Sequence, residues 1–145
     1  MISIQLIKNV ATNDWWIALL RLFLQHNMGE SFSIHCWNEE TYFSDLALQY
    51  GKLEQSAWEY GSIIKGEITQ KFVDFISEIS LDVQQDNDLV SQKMTPFFNI
   101  ILGDSFFSAH YGQEVQLVCD GQQLHEVQNI IEPLLQRGLI TAYQN

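Results

Sequence analysis

The sequence predicts an α+β fold, a mainly antiparallel sheet with helices packed on it, forming a single domain over residues 1–145. Three observations predict this fold. The chain has 145 residues, 46% of them apolar, which is enough to bury one core of ordinary size. Apolar residues follow a helical spacing in some segments and alternate in others. Two prolines and eight glycines give no stretch typical of a flexible linker.

The first third of the chain alternates strands with a helix. Alternating apolar residues over 2–7 predict an opening strand. We expect a helix to begin at Asn13, a good N-cap, and to stop near Gly29, which tolerates a left-handed backbone. Residues 31–37 then alternate again. They predict a strand with one apolar face and one mixed face.

The middle of the chain is less regular. Asn38 is expected to cap a second helix over 39–50. We expect a short helix over 53–60, then a strand over 62–68, and Thr69 is expected to cap the helix that follows. The buried face of that helix comprises four apolar side chains: Phe72, Phe75, Ile76 and Ile79.

The last third reads as strands followed by one helix. A polar loop is expected over 82–95, and then three strands separated by the turn dipeptides Gly103–Asp104 and Gly112–Gln113. Apolar spacing over 120–138 predicts a final helix. Pro133 is expected to kink or shorten that helix, because proline lacks the backbone N–H.

The charge balance bears on the kind of partner. Eighteen acidic residues against seven basic ones give a net charge of -11. Attraction to phosphate supplies much of the affinity for DNA and RNA, so we expect no direct binding of nucleic acid and none of anionic membranes. A basic protein surface is the partner that such a field suits. Acidity that serves only solubility is the alternative.

The cysteine content and the N-terminus bear on location. Cys36 and Cys119 do not form the framework of a disulfide-rich secreted domain and suit reduced thiols. Residues 1–9 lack the basic and apolar regions of a signal peptide, and no apolar run approaches the roughly 20 residues that span a bilayer. A cytoplasmic location is expected.

The stretch DFISEISLDVQQDND, residues 74–88, holds five carboxylates and no base. It does not fit a calcium loop, which needs a glycine at position 6 and a glutamate at position 12. Counted from Asp86, position 12 is Phe97, and counted from Asp82, position 6 is Asn87. The adjacent His35–Cys36 pair would point to opposite strand faces and could not chelate zinc together. We therefore expect no metal and no cofactor.

Motifs for catalysis are missing from the sequence. There is no GxSxG, SxxK or phosphate-binding glycine loop. His110 and Glu114 flank a glycine turn and could form an acid–base pair, although ordinary hydrogen bonding explains them more simply. Glu39–Glu40 beside Trp37 have the residue types of a glycosidase, but acids in a first helical turn also stabilise the helix dipole. We expect no catalytic residue and no enzyme.

Small size, acidity and the absence of enzymatic motifs are combined with "EE" at 39–40 and "DVQQDND" at 82–88. This profile resembles that of bacterial immunity proteins, which neutralise nuclease toxins in contact-dependent growth-inhibition systems. The resemblance implies a monomer or weak dimer that binds and occludes a basic toxin domain. The alternatives are a secretion chaperone of an effector and a small ligand-binding or hydrolytic domain using His110. The residues expected to bind the partner are six acids and one aromatic: Glu39, Glu40, Glu78, Asp82, Asp86, Asp88 and Trp37.

Overall fold

A computed structural model describes residues 1–55, 58–85 and 91–145. Within these residues the chain forms eight strands and four helices. In chain order they are β1 Ile2–Leu6, α1 Asp14–His26, β2 Ser31–Trp37, α2 Thr41–Ala47, β3 Lys52–Glu54, β4 Gly61–Glu67, α3 Gln70–Gln85, β5 Asn99–Leu102, β6 Phe106–Ala109, β7 Glu114–Leu117, α4 Gly121–Gln136 and β8 Ile140–Gln144.

All eight strands join one sheet in the order β3-β4-β2-β5-β6-β7-β1-β8. Every neighbouring pair is antiparallel. The first strand lies between β7 and β8, so the two ends of the chain meet at one side of the sheet. The predicted α+β class, with a mainly antiparallel sheet, is confirmed.

The two faces of the sheet differ because side chains alternate along each strand. On one face, apolar residues such as Ile34 and Leu117 are fully buried under the helices. Phe32 of β2 stacks on Phe72 of α3 with ring centroids 3.9 Å apart, which packs α3 against the sheet. The opposite face carries residues such as Ser33 and His35. No helix of the described residues packs on it, and we call it the open face.

Asn13 has a different role from the one predicted. Its side chain makes no cap hydrogen bond to α1. The side chain is fully buried, and its Nδ2 donates to the carbonyl oxygens of Ser80, at 2.7 Å, and Met94, at 3.0 Å. The prediction of a capping side chain is wrong: the two bonds from Nδ2 fix the amide so that its Oδ1, the atom that would accept a cap bond, has no hydrogen-bond partner among the described residues. Asn13 instead joins the start of α1 to α3 and to the segment before β5.

Two predictions for the middle of the chain are corrected. The helix expected over 53–60 is absent from the described part of that range, since Lys52–Glu54 pairs with β4 as strand β3. Its residues 56 and 57 lie outside the described residues. The second helix covers only Thr41–Ala47, so Glu40 and not Asn38 stands at its N-cap position. The Asn38 Nδ2 instead donates to the Glu59 carbonyl at 2.9 Å. The strand expected over 62–68 is confirmed as β4.

The later elements agree more closely with the sequence. Thr69 accepts a hydrogen bond from the Phe72 amide, as a cap does, although α3 extends to Gln85, into the expected loop. Asp120 starts α4 with a capping box, and α4 continues past Pro133 to Gln136, so the proline does not shorten it. The final strand, β8, was not predicted.

Candidate functional site

Three carboxylates form a row along the exposed side of α3. Asp74, Glu78 and Asp82 lie four residues apart, so they fall on one side of the helix, and all three are exposed. The opposite side of α3 carries Phe72 and Ile76, which are fully buried. This amphipathic pattern fixes the orientation of the helix. We call Asp74, Glu78 and Asp82 the acidic ridge.

A groove between α2 and α3 borders the acidic ridge on one side. Its volume is about 530 Å³, and all three ridge residues line it. Its other lining residues are mostly aromatic and aliphatic and include Phe43, Tyr50, Phe75 and Ile79. The Tyr50 and Phe75 rings stack with centroids 4.4 Å apart, which gives the groove a firm apolar floor.

A second groove lies between α1 and α3, on the other side of the ridge. Its volume is about 540 Å³, and Asp74 and Glu78 line it as well. Met28, which is 45% exposed, and Val73 contribute apolar surface. The ridge is therefore a line of negative charge between two partly apolar grooves.

Few basic groups lie near this charge. Lys71 lines the first groove and Arg21 lines the second. Among the described residues, the ion pairs within 4.0 Å join Lys65 to Glu54 and His110 to Glu114, and none involves the ridge. Asp74 accepts one hydrogen bond, from the Gln70 amide at 2.9 Å. The carboxylate oxygens of the ridge can therefore accept hydrogen bonds from donors of another molecule.

The second group of predicted acids has a different environment. Glu40 is half-buried, and its carboxylate accepts hydrogen bonds from the Trp37 backbone N–H at 2.9 Å and the Tyr111 hydroxyl at 2.8 Å. Burial, and then the hydrogen bond to Glu40, raise the pKa of Tyr111. Glu40 thus joins the end of β2 to the β6–β7 turn. We call Glu40, Trp37 and Tyr111 the corner; its exposed neighbour is Glu39.

The corner is continuous with an aromatic cluster. The centroid of the Phe98 ring lies 4.8 Å from that of Trp37 and 5.4 Å from that of Tyr111. The ring centroids of Trp37 and Trp58 are 5.2 Å apart. The Lys93 ammonium sits 4.4 Å from the centroid of the Tyr111 ring, a cation–π contact. Trp37, predicted to anchor a partner, is half-buried among these rings.

His35 extends the cluster along the open face. Its Nδ1 lies 3.1 Å from Asn99 Nδ2, and its Nε2 lies 3.5 Å from the Ser33 hydroxyl. Burial lowers the pKa of His35, and the positive charge of Lys65 lowers it further. The neighbouring Cys36 points to the buried face, where burial raises the pKa of its thiol to about 12. A thiol with that pKa is not a nucleophile near neutral pH.

His110 and Glu114 come together as the sequence suggested. The His110 Nδ1 lies 3.2 Å from a Glu114 carboxylate oxygen. Both side chains are exposed, at 56% and 45%, rather than set at the floor of a cleft. His110 and Tyr111 have φ values of 53° and 59°, a backbone region that costs energy in residues other than glycine. Both residues lie in the tight β6–β7 turn, and hairpin turns commonly have positive φ at two central residues.

The structure brings some of the predicted residues together and separates others. Glu78 and Asp82 share the acidic ridge, whereas Glu39, Glu40 and Trp37 lie at the corner. Asp86 and Asp88 lie outside the described residues. The prediction omitted Asp74, which lines both grooves. Its spacing of four residues from Glu78 was the signal that could have identified it.

No group of three histidine, cysteine, aspartate or glutamate side chains in the described ranges could hold a metal ion. No helix in those ranges is both long enough and apolar enough to span a membrane. Comparisons with protein-family models, curated proteins and solved structures find no match to this chain.

Proposed function

We propose that this chain is a non-enzymatic binding protein whose acidic ridge and flanking grooves bind a basic protein. A nuclease toxin domain, neutralised as immunity proteins neutralise theirs, is the partner we favour. The observation that carries the proposal is that Asp74, Glu78 and Asp82 line one groove with apolar lining and that Asp74 and Glu78 also line a second. Lysines and arginines of the partner would meet the ridge, and apolar side chains would enter the grooves.

The acidic ridge makes no evident contribution to the stability of the free chain. Like charges four residues apart on a helix repel one another. In the described structure no lysine or arginine forms an ion pair with these carboxylates to offset that repulsion. A partner that supplies positive charge removes this repulsion when it binds. The repulsion between the ridge carboxylates in the free chain therefore favours formation of the complex.

Tyr42 and Tyr50 supply the aromatic part of the surface. Tyr42 is 68% exposed at the edge of the α2–α3 groove, and Tyr50 is half-buried within it. Tyrosines are enriched among the residues that dominate binding energies, because the ring packs and the hydroxyl forms hydrogen bonds. We expect Tyr42 to contact the partner directly.

The test is reversal of charge with a matched control. One variant carries Asp74→Lys, Glu78→Lys and Asp82→Lys. The control reverses three exposed acids elsewhere: Glu30→Lys, Glu67→Lys and Glu132→Lys. Each reversal adds two charges, so both variants move from -11 to -5. The probe is a basic nuclease toxin domain that the wild-type chain inhibits, and the measurements are its association rate across ionic strengths and its inhibition.

We expect the ridge variant to associate at least about tenfold more slowly than the control, with weaker salt dependence and loss of inhibition. Melting temperatures of the two variants should be similar. Association and inhibition equal to the control would contradict the proposal and leave the ridge as a surface for solubility.

A further inference from the structure

The two edge strands of the sheet differ in how they are protected from pairing with other chains. The edge strand β3 has only three residues and carries Lys52 and Glu54. Glu54 is ion-paired with Lys65 at 3.2 Å. Short length and charge are the usual means of blocking an edge. The other edge, β8, has five residues, ITAYQ, with no charge and no proline.

The hydrogen-bond pattern shows which amides of β8 point away from the sheet. Met1 and Asn145 exchange two backbone hydrogen bonds, at 2.9 and 3.1 Å, and the Ile7 N–H donates to the Leu139 carbonyl at 2.9 Å. Hydrogen-bonded pairs alternate along an antiparallel ladder. The register of β1 with β8 therefore directs the amides of Thr141 and Tyr143 toward β1.

It follows that the N–H and C=O groups of Ile140, Ala142 and Gln144 point outward. Within the residues that the structure describes, no strand pairs with β8 on that side. These three residues are symmetric about Ala142. A second copy of β8, running antiparallel, would pair Ala142 with Ala142 and Ile140 with Gln144, with six backbone hydrogen bonds implied by the pattern.

We infer that two copies of this chain pair through β8, antiparallel about Ala142, to form a dimer with one continuous sheet. The composition of the strand suits a second copy as the occupant. The chain carries -11, yet Ile140–Gln144 has no charged side chain, so two copies that pair along β8 bring no like charges of the strand together; the acid nearest to the pairing is Glu132, which lines the adjoining groove. A twofold axis is also the commonest symmetry of homo-oligomers.

A groove along the strand adds apolar contact. It lies between β8 and α4, has a volume of about 420 Å³, and is lined by residues that include Ile2, Ile131, Leu135 and Ala142. In the symmetric pairing, the side chains of Ile140 and Ala142 from the second copy would project on this side of the sheet. Five paired residues and this groove are small beside a standard interface, so the dimer should be weak.

The experiment uses Ala142→Pro in the full chain. Proline removes the outward N–H at the symmetry axis and no hydrogen bond to β1, and edge strands accept proline at such positions. The mass is measured by sedimentation velocity from about 1 μM to about 1 mM, the range of weak complexes. Wild-type protein should rise from 16.8 kDa toward twice that mass, and more readily at higher salt, because salt screens the repulsion between copies.

The folded Ala142→Pro variant should stay at 16.8 kDa throughout. Leu53→Lys, at the protected β3 edge, is the matched control and should dimerise like wild type. If Ala142→Pro fails to fold, the double variant Thr141→Lys with Tyr143→Lys places like charges opposite each other across the axis and should abolish the dimer. A wild-type chain that stays monomeric at all concentrations would overturn the inference. So would dimerisation of the folded Ala142→Pro variant or of the folded double variant Thr141→Lys with Tyr143→Lys.

Discussion

The acidic ridge and the corner both come from stretches of sequence rich in acidic residues, but the carboxylates of the two regions have different surroundings. Glu40 accepts two hydrogen bonds from within the chain, from the Trp37 N–H and the Tyr111 hydroxyl. Glu78 and Asp82 form no ion pair among the described residues and face grooves. Local acid density therefore does not identify a binding surface. What distinguishes the two regions is whether donors in the fold already satisfy the carboxylate.

The largest effect that separates the two regions should follow removal of Glu40. Glu40→Ala leaves the Trp37 N–H and the Tyr111 hydroxyl without their charged acceptor. Hydrogen bonds to charged groups contribute about 1.5–3 kcal/mol each, and water can partly replace these half-buried ones, so we expect a loss of about 2 kcal/mol in the free energy of unfolding. Urea denaturation measures it.

The exposed neighbour is the control for that measurement. Glu39→Ala should change stability by no more than about 0.5 kcal/mol, as for an ordinary surface position. A loss in Glu40→Ala as small as the one expected for Glu39→Ala would show that the corner holds no structural carboxylate.

A smaller effect is expected from the other partner of the same hydrogen bond. Tyr111→Phe keeps the ring packed on Phe98 and removes only the hydroxyl, so it should cost about 1 kcal/mol. In a Glu40→Ala background the same change should cost almost nothing, since the acceptor is already gone. Tyr60→Phe, at a tyrosine 62% exposed, is the control and should be neutral. Identical costs of Tyr111→Phe in both backgrounds would show that the hydroxyl does not act through Glu40.

The ridge should respond with the opposite sign. Glu78→Gln removes two like-charge pairs, with Asp74 and with Asp82. Such pairs destabilise helices by about 0.2–0.5 kcal/mol each, so the free protein should become slightly more stable and this gain should shrink as salt rises. Glu126→Gln on α4 is the control, because no charged residue lies three or four positions from it. A loss of stability in Glu78→Gln would mean that the ridge carboxylate has an attractive partner within the chain.

Much of the fold follows from local sequence pattern. The strands β5, β6 and β7 were predicted because alternation and turn residues agree there, and α3 and α4 because their apolar spacing is helical. The edge strand β8 was not predicted, because its pairing with β1 depends on contacts distant in sequence. The edge strand β3 pairs with the nearby β4, but its three residues are too few for alternation to identify a strand. The expected caps at Asn13 and Asn38 are wrong because the Nδ2 of each side chain donates to a backbone carbonyl elsewhere in the chain, which holds the side chain away from a capping position.

The candidate site was predictable only in part. The spacing of the α3 carboxylates indicates that they share one side of the helix, and Glu78 and Asp82 are among the residues expected to bind the partner. The grooves could not be read, since they form where α1, α2 and α3 pack together. The role of Glu40 depends on Tyr111, which is 71 residues away. Without that contact, Glu39 and Glu40 look alike in sequence.

The smallest effect should appear in the pH dependence of stability, and it should come from His35 in the cluster beside the corner. The His35 ring is surrounded by five residues: Ser33, Asn99, Trp58, Lys65 and Glu54. Its pKa in the folded protein is below 6.5, through burial and then Lys65, while Glu54 opposes the shift. The unfolded chain therefore takes up the proton first as pH falls below about 6.5. Stability that is intact above that pH is lost as pH falls through the lowered pKa.

His35→Gln should flatten the fall in the urea midpoint between about pH 7 and pH 5 relative to wild type, because glutamine does not titrate. Gln25→Asn, at an exposed position on α1 that does not titrate, controls for substitution itself and should leave the wild-type slope unchanged. Parallel pH profiles for wild type and His35→Gln would show that His35 keeps the same pKa on unfolding. The ridge contains no histidine, and salt is the condition that should alter its partner binding. A pH effect on stability and a salt effect on binding would then arise from separate regions of the molecule.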